Sequence, residues 1–247
     1  MVLETDINNN SFRGTMMIIA IQLEPMTDVY IDTTVKALQQ LHQATLRADK
    51  RTIRIAEFLD LQAKSIIEAH KAGNEAVCFH LCCWCKPLIG KSKEEVMNGE
   101  LTVAMAQQTM ASEHGYKDWA TVQQPGDEVF DLTFENCIDT MLAGDLDKFT
   151  SNLTTTPTLA KQQSQYGHRA TLLHYLSANG VESYRQVTPL NAVKIAECLI
   201  EAGANVNATA NIYGGSRPLG LLTTSAHPAN AGVTADVAAV LEKAGAT

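Results

Sequence analysis

Cys78-Phe79-His80-Leu81-Cys82-Cys83-Trp84-Cys85 gathers four thiols and an imidazole, the side chains that hold zinc. Cys78 and Cys82, at i and i+4 of a helix, could share one ion. A closed zinc site needs four ligands, normally supplied by turns. Cys78, Cys82 and Cys85 instead fall on one helical stripe, where a small apolar side chain packs into a core. Cys82 and Cys85 also form a Cys-x-x-Cys pair, but no strand precedes it and no proline lies inside it, so a redox motif is a poor match. The cluster reads as buried helix with no metal, and no cofactor is assigned. Gly90-Lys91-Ser92 resembles the end of a phosphate loop, yet Cys85 stands where the first glycine would be. Gly214-Gly215-Ser216 is explained by a tight turn. The chain has no nucleophile elbow, no His-Glu-x-x-His and no dinucleotide fingerprint. No residue is therefore assigned a catalytic role, and the chain reads as non-enzymatic.

The totals narrow the partners. A formal charge of −8 and a pI of about 5.3 argue against nucleic acid or an anionic membrane surface, both of which select a basic face. The apolar run Met16–Ile21 is far shorter than the ~20 residues of a bilayer span, and only Arg13 precedes it as a basic residue. The crowded cysteines do not resemble an extracellular disulfide framework, so a cytoplasmic protein with reduced thiols is expected.

Helical stripes dominate from about Thr27. Val35, Leu38, Leu41 and Leu46 share a face, with Asp32 or Thr33 as the N-cap. A second helix is expected over 52–72 with Gly73 as its stop, and a third over 75–85, capped by Asn74 and ended by Pro87. Ser92 caps a short helix through Met97, Leu101–His114 forms the next, and Trp119 lies in a turn or short helix. Residues 15–23 fit a buried strand or a helix turn. Gln123-Gln124-Pro125-Gly126-Asp127-Glu128 is the best boundary. The expected organisation is a segment 1–26, a helical domain 27–124 and a second unit 130–247, all-α throughout.

Two resemblances follow from specific residues. Ala111-Ser112-Glu113-His114-Gly115-Tyr116-Lys117-Asp118-Trp119, with Leu61–Ala76 before it, resembles a helical module that precedes ankyrin repeats in bacterial and fungal proteins. The glycine reverses the chain and the two aromatics pack back on the helix they have left. From Phe130 onward the chain resembles the ankyrin family. Thr171-Leu172-Leu173-His174 stands where that family has Thr-Pro-Leu-His. Gly203-Ala204-Asn205-Val206-Asn207-Ala208 matches its Gly-Ala-Asp-Val-Asn-Ala exit. A degenerate unit precedes this one (helices 134–143 and 145–153), and a third begins at Arg217-Pro218-Leu219-Gly220 and continues over 233–244. The resemblance implies a helical solenoid that binds proteins, with His174 in a turn hydrogen-bond network. Thr171 and Arg217 lie 46 residues apart, against ~33 in an ordinary repeat. The surplus forms two inserts, Val181–Asn191 and about Thr224–Gly232, expected side by side as a shared surface or a cap over a groove.

Tyr184 and Arg185 lie in the first insert, His227 in the second, and Tyr213 and Arg217 at the intervening turn. This aromatic, arginine and histidine set has the composition of a recognition surface, or it packs the inserts onto the helices. The function expected is protein binding, with the partner another protein. The alternative is a small enzyme or ligand sensor with a pocket under the inserts, where His227 or Arg185 acts. A metal or redox role for Cys78–Cys85 is the third possibility.

Overall fold

The computed structural model describes residues 29–124 and 129–247. The segment 1–26, the run 15–23 and residues 125–128 of the expected boundary lie outside these residues. Thirteen α-helices and a two-residue ribbon make up the regular structure among the described residues, and none of the helices is long and apolar enough to cross a membrane. The helical class expected from periodicity holds.

Strand β1 (Val29–Tyr30) leads into α1 (Thr33–Leu41), whose N-cap Asp32 accepts from Thr34 N at 2.8 Å. Helix α2 (Ile55–Lys71) begins three residues later than expected, because Ala48–Thr52 winds as a 3-10 turn. Next come α3 (Val77–Trp84), α4 (Lys93–Asn98), α5 (Val103–Glu113) and α6 (Trp119–Gln123). Ser92 and Glu95 close a capping box at the start of α4. Ile55, Phe58, Leu59, Ala63 and Ile66 of α2 meet Ala106, Met110 and Ala111 of α5 in one core, with Tyr116 and Trp119 against its edge.

The second core belongs to paired helices. These are α7 (Leu132–Leu142) with α8 (Leu146–Thr155), and α9 (Leu172–Leu176) with α10 (Ala192–Glu201). In the last unit α11 (Pro218–Thr224) and α12 (Ala226–Asn230) precede α13 (Thr234–Lys243). Helix α9 packs against both α7 and α11, and α10 against both α8 and α13, so successive pairs stack in two layers. Each layer buries the apolar stripe of its neighbour, as Leu172, Leu176, Ile195 and Leu199 do here.

Three features tie the two halves together. Val35 of α1 lies in the core of the stacked pairs, while Phe130 and Tyr166 lie in the core of α2 and α5. Strand β1 pairs antiparallel with β2 (Thr188–Pro189), Val29 opposite Pro189 and Tyr30 opposite Thr188. At Gly115, with φ of +77°, the backbone passes so close to His168 that an added Cβ would stand 2.3 Å from its nitrogen. His168 N donates to His114 O across that contact at 3.0 Å.

The first insert is the main correction to the sequence reading. Residues 181–189 are all buried, so this stretch is not an exposed surface. Its apolar residues Val181, Tyr184 and Val187 recur every third position and turn into the joint between the halves.

Candidate functional site: a buried polar joint

The joint is built from polar and charged side chains, chiefly of α1, α3, α5, α7 and the first insert. Glu113, the last residue of α5, is 1% exposed. Its Oε2 lies 2.7 Å from His80 Nδ1 on α3, and its Oε1 accepts from Ser183 N of the insert at 2.9 Å. His80 Nε2 lies 2.9 Å from Nε2 of His42, the C-cap of α1. A carboxylate and two imidazoles thus form a line through the interior. Burial pushes the Glu113 carboxyl up, but His80, His114 and Ser183 outweigh it and hold the group well below the ordinary carboxylate range. Burial, reinforced by His80, brings His42 down to about 3, so His42 is neutral near pH 7.

Arg185 is the centre of a second group. Its guanidinium meets Glu135 at 2.7 Å, Asp139 at 2.8 Å and Glu182 at 3.2 Å. Glu135 and Asp139 are one turn apart on α7, so a single helix face offers both acids. Tyr175 Oη donates to Glu182 at 3.1 Å, and Arg51 pairs with Asp139 from outside. Burial raises Glu135 in spite of Arg185, because Glu182 adds like charge. Burial would raise Glu182 too, but His168 and Arg185 bring it down to about 2. A fully buried cation facing several acids is a charge that cannot lose one partner cheaply.

The expected recognition residues do not converge. Tyr184 is 5% and Arg185 4% exposed, so both belong to the joint. Gln39 Nε2 holds the Tyr184 carbonyl at 3.0 Å, which covers the insert with α1. Tyr213 is 64% exposed and stacks on Trp84 of α3, ring centroids 6.3 Å apart and planes 5° from parallel. Arg217 is exposed and bonds Thr247 at the C-terminus. His227 is half-buried on α12; burial lowers it, and nearby Asp32 partly restores it.

His174 sits in a turn network. Its Nδ1 lies 2.8 Å from Thr171 Oγ1 and accepts from Thr171 N at 3.1 Å, while Nε2 reaches Ser216 O of the next pair at 3.3 Å. Burial lowers it to about 4. Cys78 and Cys85 are buried as the stripe predicts, but Cys82 is half-buried beside the Lys91 carbonyl. Burial raises the thiols of Cys78, Cys83 and Cys85, away from the thiolate that metal binding needs. Among the described residues no group of three or more His, Cys, Asp or Glu is arranged to hold a metal ion.

No protein-family model matches the chain, and no curated protein or solved structure is significantly similar to it. The physical arrangement alone therefore has to carry the functional reading.

A cleft of about 420 Å³ opens beside Arg185. Val29 and Ile31 of the β1 strap, Leu46, Arg51, Asp139 and Arg185 are among its lining residues. Sequence reasoning missed His42, Glu113, Glu135, Asp139 and Glu182, and weighed His80 only as a metal ligand beside the cysteines. The available signal was the insert itself, where acid and arginine sit three apart between regularly spaced apolar residues.

Proposed function

We propose that this chain is a non-catalytic binding protein, an ankyrin-like stack fused to a helical domain, that engages another protein through its turn loops. The charged and imidazole groups of the joint are engaged in internal pairs, and recognition is assigned to the exterior. The carrying observation is the Trp84–Tyr213 stack. Aromatic side chains of this kind dominate binding energy at interfaces. Tyr213 is held outward by a backbone φ of +48°, costly for a tyrosine, followed by Gly214 and Gly215 in the same left-handed region. The free cysteines and the acidic charge suit a reducing, cytoplasmic setting.

The test is a photo-reactive amino acid placed at Tyr213 in the full chain, with exposed Val103 of α5 as the control position. A defined cross-linked protein at position 213, absent at 103 and lost on Trp84→Ala with an unchanged melting temperature, supports the proposal. Identical products at both positions, or none, would end it.

A second reading, a small-molecule site under the insert, is favoured by the cleft at Arg51, Asp139 and Arg185. In this reading the protein senses a ligand, and Arg185 orders the site from behind.

A further inference from the structure

We infer that the cleft between the β1 strap and α7 is taken by the chain's own apolar run, Met16–Leu23. The inference does not rest on the protein-binding reading, and a small molecule entering the same cleft would have to compete with this run.

The cleft asks for an uncharged occupant. Its charged lining residues already answer one another: Arg51 and Arg185 both pair with Asp139, and Glu135 and Glu182 hold Arg185 from inside. Two cations against three acids leave no charge for a ligand to balance, and Asp139, the most exposed of the charged lining residues, is shared by both arginines. What stays open to water is apolar surface. Val29, Ile31 and Leu46 line the cleft and are only half-buried, with Leu142 and Val187 behind them. More lies at the rim. Leu190 is 45% exposed, and its neighbour Asn191 donates through Nδ2 to Gly144 O at 2.8 Å, next to the lining residue Ala143. Covering such surface is favourable for any apolar group that reaches it. The volume of about 420 Å³ admits several side chains.

The sequence places a matching occupant beside it. Met16-Met17-Ile18-Ile19-Ala20-Ile21-Gln22-Leu23 holds seven apolar residues and one amide, with no charge. Charge resumes close on either side, at Arg13 and Glu24. Left in water, a run of this kind is an exposed apolar patch in need of cover. Only Glu24–Asp28 separate it from Val29, which itself lines the cleft. This link spans at most about 20 Å, and Pro25 within it suits a reversal of the chain. A tether so short gives the run an effective concentration on the order of millimolar at the cleft, which favours it over a free ligand or a second copy of the chain.

A photo-reactive amino acid at Ile19 of the full chain tests the assignment. Illumination should join position 19 to Leu46, Leu142, Ala143 or Val187 within one chain, at least about tenfold more than the same group at Asn8 does. Ala143→Trp, at an exposed lining position away from the ion pairs, should remove that product. A second measurement is independent of cross-linking. Ile19→Asp combined with Ile21→Asp should free the cleft, so that 1-anilinonaphthalene-8-sulfonate binds this variant at least about fivefold more tightly than the parent. Adding Ala143→Trp should cancel the gain. Cross-linked dimers in place of the intramolecular product would give the cleft to a second copy and overturn the inference. Equal products from positions 8 and 19, or tighter dye binding by the parent than by the double variant, would overturn it too. None of these readouts involves Tyr213, so failure here leaves the protein-binding reading standing.

Discussion

The two inserts are alike in position and opposite in the fold. Val181–Asn191 and Thr224–Gly232 occupy the same place in successive helix pairs. The first is buried along 181–189 and carries Glu182 and Arg185 into the joint. The second winds into α12, caps itself with Ser225, and leaves Thr224, Ala226, Ala229 and Asn230 exposed. The difference comes from the neighbour. The helical half, with α1 laid across it, covers the first insert, while Asp32 at the start of α1 lies near His227 of the second. Position in a stack fixes where extra chain emerges; what packs there decides whether it becomes core.

The largest test of this contrast is Arg185→Ala. It strands Glu135 and Glu182 in the interior and should cost about 3–5 kcal/mol in urea unfolding. The corresponding change in the other insert, His227→Ala, should cost no more than about 1 kcal/mol. Equal costs would erase the distinction between the inserts.

Glu113→Gln comes next, with an expected loss of about 1–3 kcal/mol. The amide oxygen still accepts from Ser183 N, so the loss reports the contact with His80. Hydrogen exchange should rise first in Ser183–Arg185 and leave α12 unaffected.

Acid sharpens the comparison further. In the unfolded chain a histidine takes its proton near pH 6.5, whereas His42 resists until about 3 and His174 until about 4. The unfolded state therefore binds more protons across this window. Stability is full above pH 6.5 and drops as pH falls, by up to about 1.4 kcal/mol per pH unit for each histidine. Glu113 and Glu182, held low, add a loss below about 4.5, while Glu135, held high, opposes it. Urea midpoints measured from pH 7 to 4.5 should fall, and His42→Phe should flatten the curve. A flat curve for the parent would show that the joint does not exclude protons.

The smallest effect concerns Tyr213, between the inserts. Tyr213→Gly relieves a φ of +48° but removes the stack on Trp84, so stability should move by no more than about 1 kcal/mol. If the proposed recognition through the aromatic ring holds, cross-linking at a neighbouring position should nevertheless be lost.

The elements were legible because their signals are local. Ser92 with Glu95, Asp32 before α1, and the stripe from Ile55 to Ile66 each act within a turn or two of helix. The start of α2 was expected at about Thr52, whereas Ala48–Thr52 winds as a 3-10 turn and the α-helix begins at Ile55. The joint was not legible, because its pairs join distant residues whose register depends on how two cores meet. Glu113 and Ser183 are 70 residues apart, Gln39 and Tyr184 145. Tyr184 and Arg185 suit a surface or an interior equally well by type; only the apolar spacing around them distinguishes the two. Tyr213 was legible as exposed because Gly214 and Gly215 mark a protruding turn.

The bond between Glu113 and Ser183 also sets a timetable for the growing chain. At about 5–20 residues per second, the ribosome delivers the insert about 4–14 s after α5 has emerged. Throughout that interval the helical half holds an acid and two imidazoles with no cover. A nascent chain halted before residue 183 should therefore be open to protease around α1 and α3, and should close once the insert is released.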